Sequence, residues 1–341
     1  MTAESGINLA SLRAWMDENG LGEPATAVTA RDVSAGAQNR IFDVRRGDDF
    51  RAALRIPPPN APAGRDAGIA REWRIIEALD GTGVPHPRGF AMCADTEVLG
   101  RAFYLTSFVN GWAPKPGGPW PEPFESDLEV RAGLAFAMVD GIAVLSEVDW
   151  RARGLEDLGR PEGFHERQVS RWTEFFEQNK GREIPGRKEA TDWLARNRPR
   201  DYHPGLMHGD FQFANVMFGE GAPARLAAIV DWEMGTVGDP KLDLAWMLHS
   251  WPEQPDATSS YVDMTGMPGR TQLLDRYVEV SGRQVDDIDY YVILAKWKMA
   301  IVLEQSFQRA GDNPVFRQLG TMVLEQMALA AELASTTDYG C

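Results

Sequence analysis

Apolar residues recur at two different periods along this chain, and the change of period divides it. In residues 7–19, Leu9, Leu12, Trp15 and Met16 fall at helical spacing, and Gly20 follows as a stop signal. Three runs of strand character come next, at residues 28–32, 40–45 and 50–56. Pro57-Pro58-Pro59 closes the third, because proline cannot donate to a sheet ladder. Residues 66–79 return to helical spacing, with Ile69, Trp73, Ile76 and Leu79 on one side. Two more strand runs cover 88–93 and 102–109. This half predicts a small antiparallel sheet with one helix inserted after its third strand.

Beyond Gly111 the character changes. Residues 114–123 are rich in Pro and Gly and read as a loop at a junction. Helical patterns then dominate, at 128–147, 161–179, 188–197, 271–281, 286–309 and 314–334. Between them, residues 206–231 break into short strands and turns. No internal repeat or low-complexity tract interrupts the pattern.

Composition removes whole classes of function. The 341 residues are 43% hydrophobic and 25% charged, ordinary for a globular protein with ample core. Lys and Arg total 35 against 50 Asp and Glu, a formal net charge of -15. Such a surface repels nucleic acid and anionic lipid, so neither is an expected partner. A phosphate-bearing substrate stays open, because local basic residues and a metal override the global field. Cys93 and Cys341 give no metal spacing and no disulfide framework. The polar N-terminus lacks a basic region and apolar core, and the apolar runs 227–230 and 299–303 are too short to span a bilayer. A reducing cytoplasm is the simplest compartment.

The chemistry sits in His208-Gly209-Asp210-Phe211-Gln212-Phe213-Ala214-Asn215, followed by Ala227-Ala228-Ile229-Val230-Asp231-Trp232-Glu233. An aspartate that orients a hydroxyl, an asparagine five residues on and a second aspartate ending an apolar strand form the order used in kinase-type phosphoryl transfer. That reaction needs positioning and charge neutralisation more than covalent work. The expected catalytic residues are Asp210, Asn215 and Asp231. Asn215 and Asp231 carry the oxygen ligands that Mg²⁺ prefers. Asp243 opens an apolar helix, and capping or anchoring the loop is favoured over direct catalysis.

These residues resemble the aminoglycoside phosphotransferase family, which shares the protein-kinase-like fold with choline and macrolide kinases. The string Asp231-Trp232-Glu233-Met234-Gly235-Thr236-Val237-Gly238-Asp239-Pro240 is similar to the branch related to kinase domains fused to acyl-CoA dehydrogenases in animals, associated with phosphorylating 4-hydroxyacyl-CoA thioesters. The resemblance covers about residues 25–310 and implies an α+β, two-lobed protein-kinase-like fold. Its expected parts are an N-terminal helical extension at 1–24, a nucleotide-binding β-sheet lobe at 25–109, and a helical lobe at 110–341 holding the catalytic loop and acceptor site. It also implies ATP and Mg²⁺ as cofactors and a small-molecule hydroxyl as acceptor.

The small lobe departs from the family at two places. The phosphate loop falls on Ser34-Ala35-Gly36-Ala37-Gln38-Asn39, which has one glycine; Ser34 and Asn39 are its candidate contacts, and a plain turn explains it equally. Arg55 replaces the lysine expected on the third strand. Arginine holds a permanent charge and binds phosphate bidentately, so the role survives in a different geometry. Glu72 is its expected ion-pair partner, since it projects along the apolar face of its helix, where a charge needs a partner; Glu77 is the alternative toward the polar side. Backbone groups near Ser107 and Val109 would meet adenine, although an apolar core strand accounts for the same residues.

On the acceptor side, Trp232, His249, Trp251, Lys296, Trp297 and Lys298 come from segments expected near Asp210. Lys296 and Lys298 suit an apolar or anionic acceptor better than a polycation; the equally open reading makes Trp297 core and the lysines solvated. The preferred acceptor is a hydroxyacyl thioester or related apolar alcohol, with an aminoglycoside or other antibiotic as the rival. A reading of another class stays beside these: a catalytically silent pseudokinase serving as a nucleotide-binding or interaction module, for which Arg55 and the glycine-poor loop leave room.

Overall fold

The computed structural model describes residues 6–34, 39–179, 181–309 and 314–340. Its first helix, α1 (Leu9–Glu18), starts where Asn8 accepts hydrogen bonds from the Ala10 and Ser11 amides at 3.1 Å. Strands β1 (Val28–Asp32), β2 (Arg40–Arg46), β3 (Phe50–Ile56), β4 (Gly89–Cys93) and β5 (Phe103–Ser107) form one antiparallel sheet in the order β1-β2-β3-β5-β4. Period-two alternation gives this sheet two different faces. Phe42, Val44, Ala52, Leu54, Phe103 and Leu105 pack with Leu12, Trp15 and Met16 of α1. The buried guanidinium of Arg46 ties α1 down, donating to the Leu21 carbonyl at 2.8 Å and to Asp17.

The opposite face carries charged side chains. Arg55 alternates with Leu54 and Ile56 and stands in register with Tyr104 of β5. Helix α2 (Gly64–Leu79) covers this face with Ile69, Glu72, Ile75, Ile76 and Leu79 buried. Two arginines on its outer side clamp it to the large lobe: Arg71 donates to the Leu158 and Gly235 carbonyls, and Arg74 pairs with Asp157. A one-turn helix, α3 (Thr96–Leu99), was not expected. Asp95 caps it by accepting from the Glu97 amide at 2.9 Å, and four residues are too few to show helical periodicity.

The large lobe contains α4 (Leu128–Ser146), α5 (Phe164–Asn179), α6 (Arg187–Arg196), β6 (Gly205–Met207), β7 (Val216–Phe218), β8 (Leu226–Ile229), β9 (Thr236–Gly238), α7 (Lys241–Leu248), α8 (Arg270–Ser281), α9 (Ile288–Gln308) and α10 (Pro314–Thr336). Strands β6 and β9 pair, as do β7 and β8, both antiparallel. Helix α9 is the central post. Val292, Ile293, Leu294 and Ala295 are consecutive and all fully buried, so apolar neighbours surround it. No described helix is long and apolar enough to cross a membrane.

The linker between lobes grips the β7–β8 hairpin. Trp112 and Phe218 exchange two backbone hydrogen bonds, at 2.9 and 2.8 Å. Gly111 permits this approach, since a Cβ there would lie 2.5 Å from the Phe218 carbonyl oxygen. The α+β two-lobed fold expected from the sequence is the fold found. The last strand of this sheet, β5, ends at Ser107 rather than 109, where the Ser107 amide donates to the Arg88 carbonyl and the Ser107 hydroxyl accepts from the Arg88 amide. The next residue, Phe108, lies under the Arg51 guanidinium at 3.5 Å.

Candidate active site

The loop between β6 and β7 is shaped by a glycine, a histidine and a buried acid. Gly209 has φ +83, and a Cβ there would stand 2.6 Å from the Met234 carbonyl oxygen, so any side chain is excluded twice over. His208 is fully buried. Its Nε2 meets the Val230 carbonyl at 2.9 Å, so that nitrogen carries the proton, and Nδ1 accepts the Asp210 amide at 3.3 Å. Beneath the turn, Asp243 accepts the His208 amide at 2.5 Å and the Gly209 amide at 2.7 Å. Burial pushes the Asp243 carboxyl up to about 6, against the pull of His208 and of those two amides.

Asp210 emerges from this turn with its orientation fixed. Oδ1 accepts from Gln212 Nε2 and Trp246 Nε1, both at 2.8 Å, and Oδ2 accepts from Asn215 Nδ2 at 2.8 Å. A carboxylate offers about four acceptor positions. Three are filled by donors among the described residues, so one acceptor position remains on Oδ2. The Asn215 amide nitrogen also reaches the Asp210 carbonyl at 2.8 Å, so both of its contacts to Asp210 are made through the nitrogen and its side-chain oxygen takes no part in them.

The second half of the site is held by the β7–β8 hairpin. Val216 pairs with Ile229, and the Val230 amide donates to the Asn215 carbonyl at 2.9 Å, so Asn215 and Asp231 stand at one end of the same ladder. Asp231 adopts the left-handed conformation, φ 67 and ψ 62, which turns its carboxylate off the strand. Aspartate tolerates this better than most residues, at about 1–3 kcal/mol of local strain.

Arg55 crosses from the small lobe to meet it. Its Nε pairs with Glu72 at 2.9 Å and its Nη2 with Asp231 at 2.5 Å. Tyr104 donates its hydroxyl to Glu72 at 2.8 Å. Burial raises the Glu72 carboxyl above its usual range, partly opposed by Arg55 and the tyrosine. Glu233 adds a third acid, held by Arg65 at 3.1 Å and raised by burial and by the nearby charge of Asp231. Oxygens of Glu72, Asp231 and Glu233 lie within 4.8 Å of one another. All the donors here are hard oxygens, the set that suits Mg²⁺, so the residues present fit that ion.

The family model of the phosphotransferase enzyme family matches residues 29–274. The chain belongs to that family. Acyl-CoA dehydrogenase family member 11 of Homo sapiens is 29% identical over 317 residues, covering 89% of this chain and 40% of the human protein. The Pongo abelii counterpart is 30% identical over 318 residues, with the same coverage. This phosphotransferase therefore spans about two fifths of the curated relatives it matches, and their names fit the branch that the Asp231–Pro240 string resembles. A solved structure from Ralstonia eutropha, assigned by name to the aminoglycoside phosphotransferases, superposes with TM-score 0.81 at 26% identity, covering 96% of this chain and 98% of that one. Plasmodium vivax ethanolamine kinase shares the fold, with TM-score 0.63 at 10% identity over 93% of this chain and 87% of that one.

Of the residues expected from the sequence, the phosphotransferase brings Arg55, Glu72 and Asp231 into one ion-pair chain and sets Asn215 on Asp210. Glu77, the alternative partner, is exposed. Asn39 is buried and lines a cavity of 420 Å³ with Arg65, Glu72 and Glu233. Ser34 instead spends its amide and hydroxyl on Asp32, at 2.9 and 2.6 Å, and its oxygen accepts the Ile41 amide, so it closes the β1–β2 turn. Residues 35–38 of the expected phosphate loop lie outside the described residues. Val109 is half-buried just beyond the end of β5.

The acceptor side differs more. Trp232, Trp251 and Trp297 are buried structural rings: Trp232 backs His208 at 4.9 Å, Trp251 stacks on Phe213, and Trp297 donates to Thr191. Lys296 donates to the His249 carbonyl. The ring that touches Asp210 is Trp246, which, like Gln212 and Glu233, is not among the residues the sequence predicts for the site. A signal existed for Trp246, because it follows Asp243 by three residues on one helix and so shares its face.

Proposed function

We propose that this phosphotransferase transfers the γ-phosphoryl group of ATP to the hydroxyl of an acyl-type or otherwise apolar small molecule, with Mg²⁺. The carrying observation is the Asp210 carboxylate, fixed by three donors with one acceptor position left on Oδ2. In this reading Asp210 aligns the acceptor hydroxyl and takes its proton as the new oxygen–phosphorus bond forms. The bond from the γ-phosphorus to the bridging oxygen breaks, and the products are a phosphate monoester, ADP and a proton. Asn215 and Asp231 hold the metal, which when bound neutralises charge on the phosphate oxygens. Arg55 shares that neutralisation from the small lobe, steadied by Glu72. Asn39, and backbone near Ser107 and Val109, belong to the nucleotide cleft; the small lobe, with α1 packed on its sheet, forms the nucleotide half of the molecule.

The acceptor class rests on the surroundings of Asp210. Gln212, Asn215, Trp246 and Tyr261 surround it, and burial with the Asp210 charge pushes the Tyr261 phenol up to about 12. Aromatic rings backed by lysine suit an acyl chain better than a polycation. The acyl-CoA dehydrogenase relatives point the same way. Mass spectrometry of products from hydroxyacyl thioesters, hydroxy acids and aminoglycosides tests this. The expected outcome is phosphate esters of the first two sets; activity confined to polycations rejects the acceptor class.

A further inference from the structure

Helix α9 carries Lys298, whose half-buried ammonium meets no hydrogen-bond or ion-pair partner among the described residues. It lies over two indoles, 5.0 Å from the ring of Trp172 on α5 and 5.7 Å from that of Trp246 on α7. Trp246 is the residue whose indole N–H holds Asp210 at 2.8 Å. Lys298 thus stands one indole away from the carboxylate assigned to the acceptor hydroxyl. A second cation, the exposed Arg171, precedes Trp172 on α5, also without an ion pair among the described residues, and its charge repels that of Lys298. The ordinary remedy is absent. The chain has 50 acidic side chains, yet among the described residues none makes an ion pair with either cation. The acid whose field reaches Lys298 is Asp243, and both its oxygens are committed to the His208 and Gly209 amides.

We infer that Lys298, with Arg171, Trp172 and Trp246, forms a subsite for an anionic group of the acceptor, a carboxylate or a phosphate removed by several bonds from the reacting hydroxyl. This deepens the acceptor reading above and rests on it. A half-buried cation with no counter-ion is costly, and a like charge near it adds to that cost, unless a ligand of opposite sign completes the site. The indoles exclude water from one side and hold the ammonium by cation–π attraction. Burial and Arg171 pull the Lys298 ammonium down to about 8, so it remains charged at neutral pH while ready to gain from an anion. A neutral alcohol would leave this charge unanswered, which gives the site a way to select acidic acceptors.

The test pairs a graded series of hydroxy acids with their neutral amides, and sets both beside a hydroxyacyl-CoA thioester, whose phosphates are the other source of negative charge. The wild-type protein should prefer acid over amide, or the CoA thioester over a neutral short thioester, by tenfold or more in kcat/KM. Lys298→Met should erase that preference through KM, leaving the KM for Mg-ATP in place, and Lys298→Arg should restore part of it. Limited acetylation read by peptide mass spectrometry supplies an independent signal: saturating anionic acceptor should shield Lys298. Equal use of charged and neutral partners by the wild type, or a preference that survives Lys298→Met, overturns the subsite, as does labelling of Lys298 that no anionic acceptor suppresses. A protein that phosphorylates no hydroxyl compound rejects the kinase reading itself, and the labelling result then decides the subsite alone.

Discussion

Arg55 and Asp231, 176 residues apart, meet through Nη2 and Oδ1 at 2.5 Å, and the contact joins the two lobes across the cleft. The guanidinium serves two acids at once, because its Nε is spent on Glu72. A lysine has no planar fork and cannot reproduce both contacts. Arg55→Lys should therefore retain the charge yet raise the KM for Mg-ATP by about tenfold, one contact being worth about 1–2 kcal/mol. Arg55→Met should cost more, since it leaves the buried Glu72 without its cation. Steady-state kinetics in Mg-ATP checks both; nucleotide affinity unchanged by Arg55→Met would remove Arg55 from the site.

Trp246 and Asp210 share a hydrogen bond to a charged acceptor, a class worth about 1.5–3 kcal/mol. Trp246→Phe keeps an aromatic ring, smaller than the indole, and deletes the donor. The predicted result is a fall in kcat of roughly ten- to hundredfold, with nucleotide binding intact. Asp210→Asn should lose about 10²–10⁴-fold in kcat while still binding Mg-ATP. Stopped turnover with retained binding, read by calorimetry beside kinetics, distinguishes these effects from misfolding.

Gly209 admits no side chain, for reasons of dihedral angle and of the Met234 carbonyl 2.6 Å away. Gly209→Ala should lose about 2 kcal/mol or more of stability, combining left-handed strain with displaced backbone. Chemical denaturation measures it. A neutral effect on stability and activity would mean that the turn is far softer than its geometry.

Much of this site follows from local sequence rules. The alternation of β3 sends Arg55 to the face shared with Tyr104, opposite the face that α1 covers. Glu72 sits on the apolar side of its helix, where a charge demands a partner, and Arg55 is that partner. The spacing of Asp210, Asn215 and Asp231 survives folding because two short strands, β7 and β8, bring their ends together. What the sequence hid are contacts made by distant segments. Trp246 reaches Asp210 across 36 residues, and Arg65 reaches Glu233 across 168. Strands β6 and β9 are three residues each, too short for alternation to appear. Ser34 looked free to meet phosphate because nothing local shows that Asp32 and Ile41 occupy it.

Asp243 sets an acid limit on activity. Its folded carboxyl lies at about 6, above the ordinary 3.8, so the folded protein takes up the proton first as pH falls. The sign for stability follows: the contribution of this group declines as pH rises from about 4 to 6 and is level above. Activity runs the other way, because only the ionised group can accept both loop amides. The pH profile of kcat should therefore fall below about 6 while the fold persists. Asp243→Asn should be weakly active throughout and lack that limb; a wild-type limb that Asp243→Asn preserves would place it elsewhere.

The most direct measurement follows the γ-phosphoryl group by phosphorus NMR, with Mg-ATP and a hydroxyacyl acceptor. A phosphate monoester should grow as ADP appears in equal amount with the wild-type protein, and both should form at least about a hundredfold more slowly with Asp231→Ala or Asp210→Asn. ADP released with inorganic phosphate alone, or ester formed at the wild-type rate by Asp231→Ala, would contradict the assignment of these two aspartates to phosphoryl transfer.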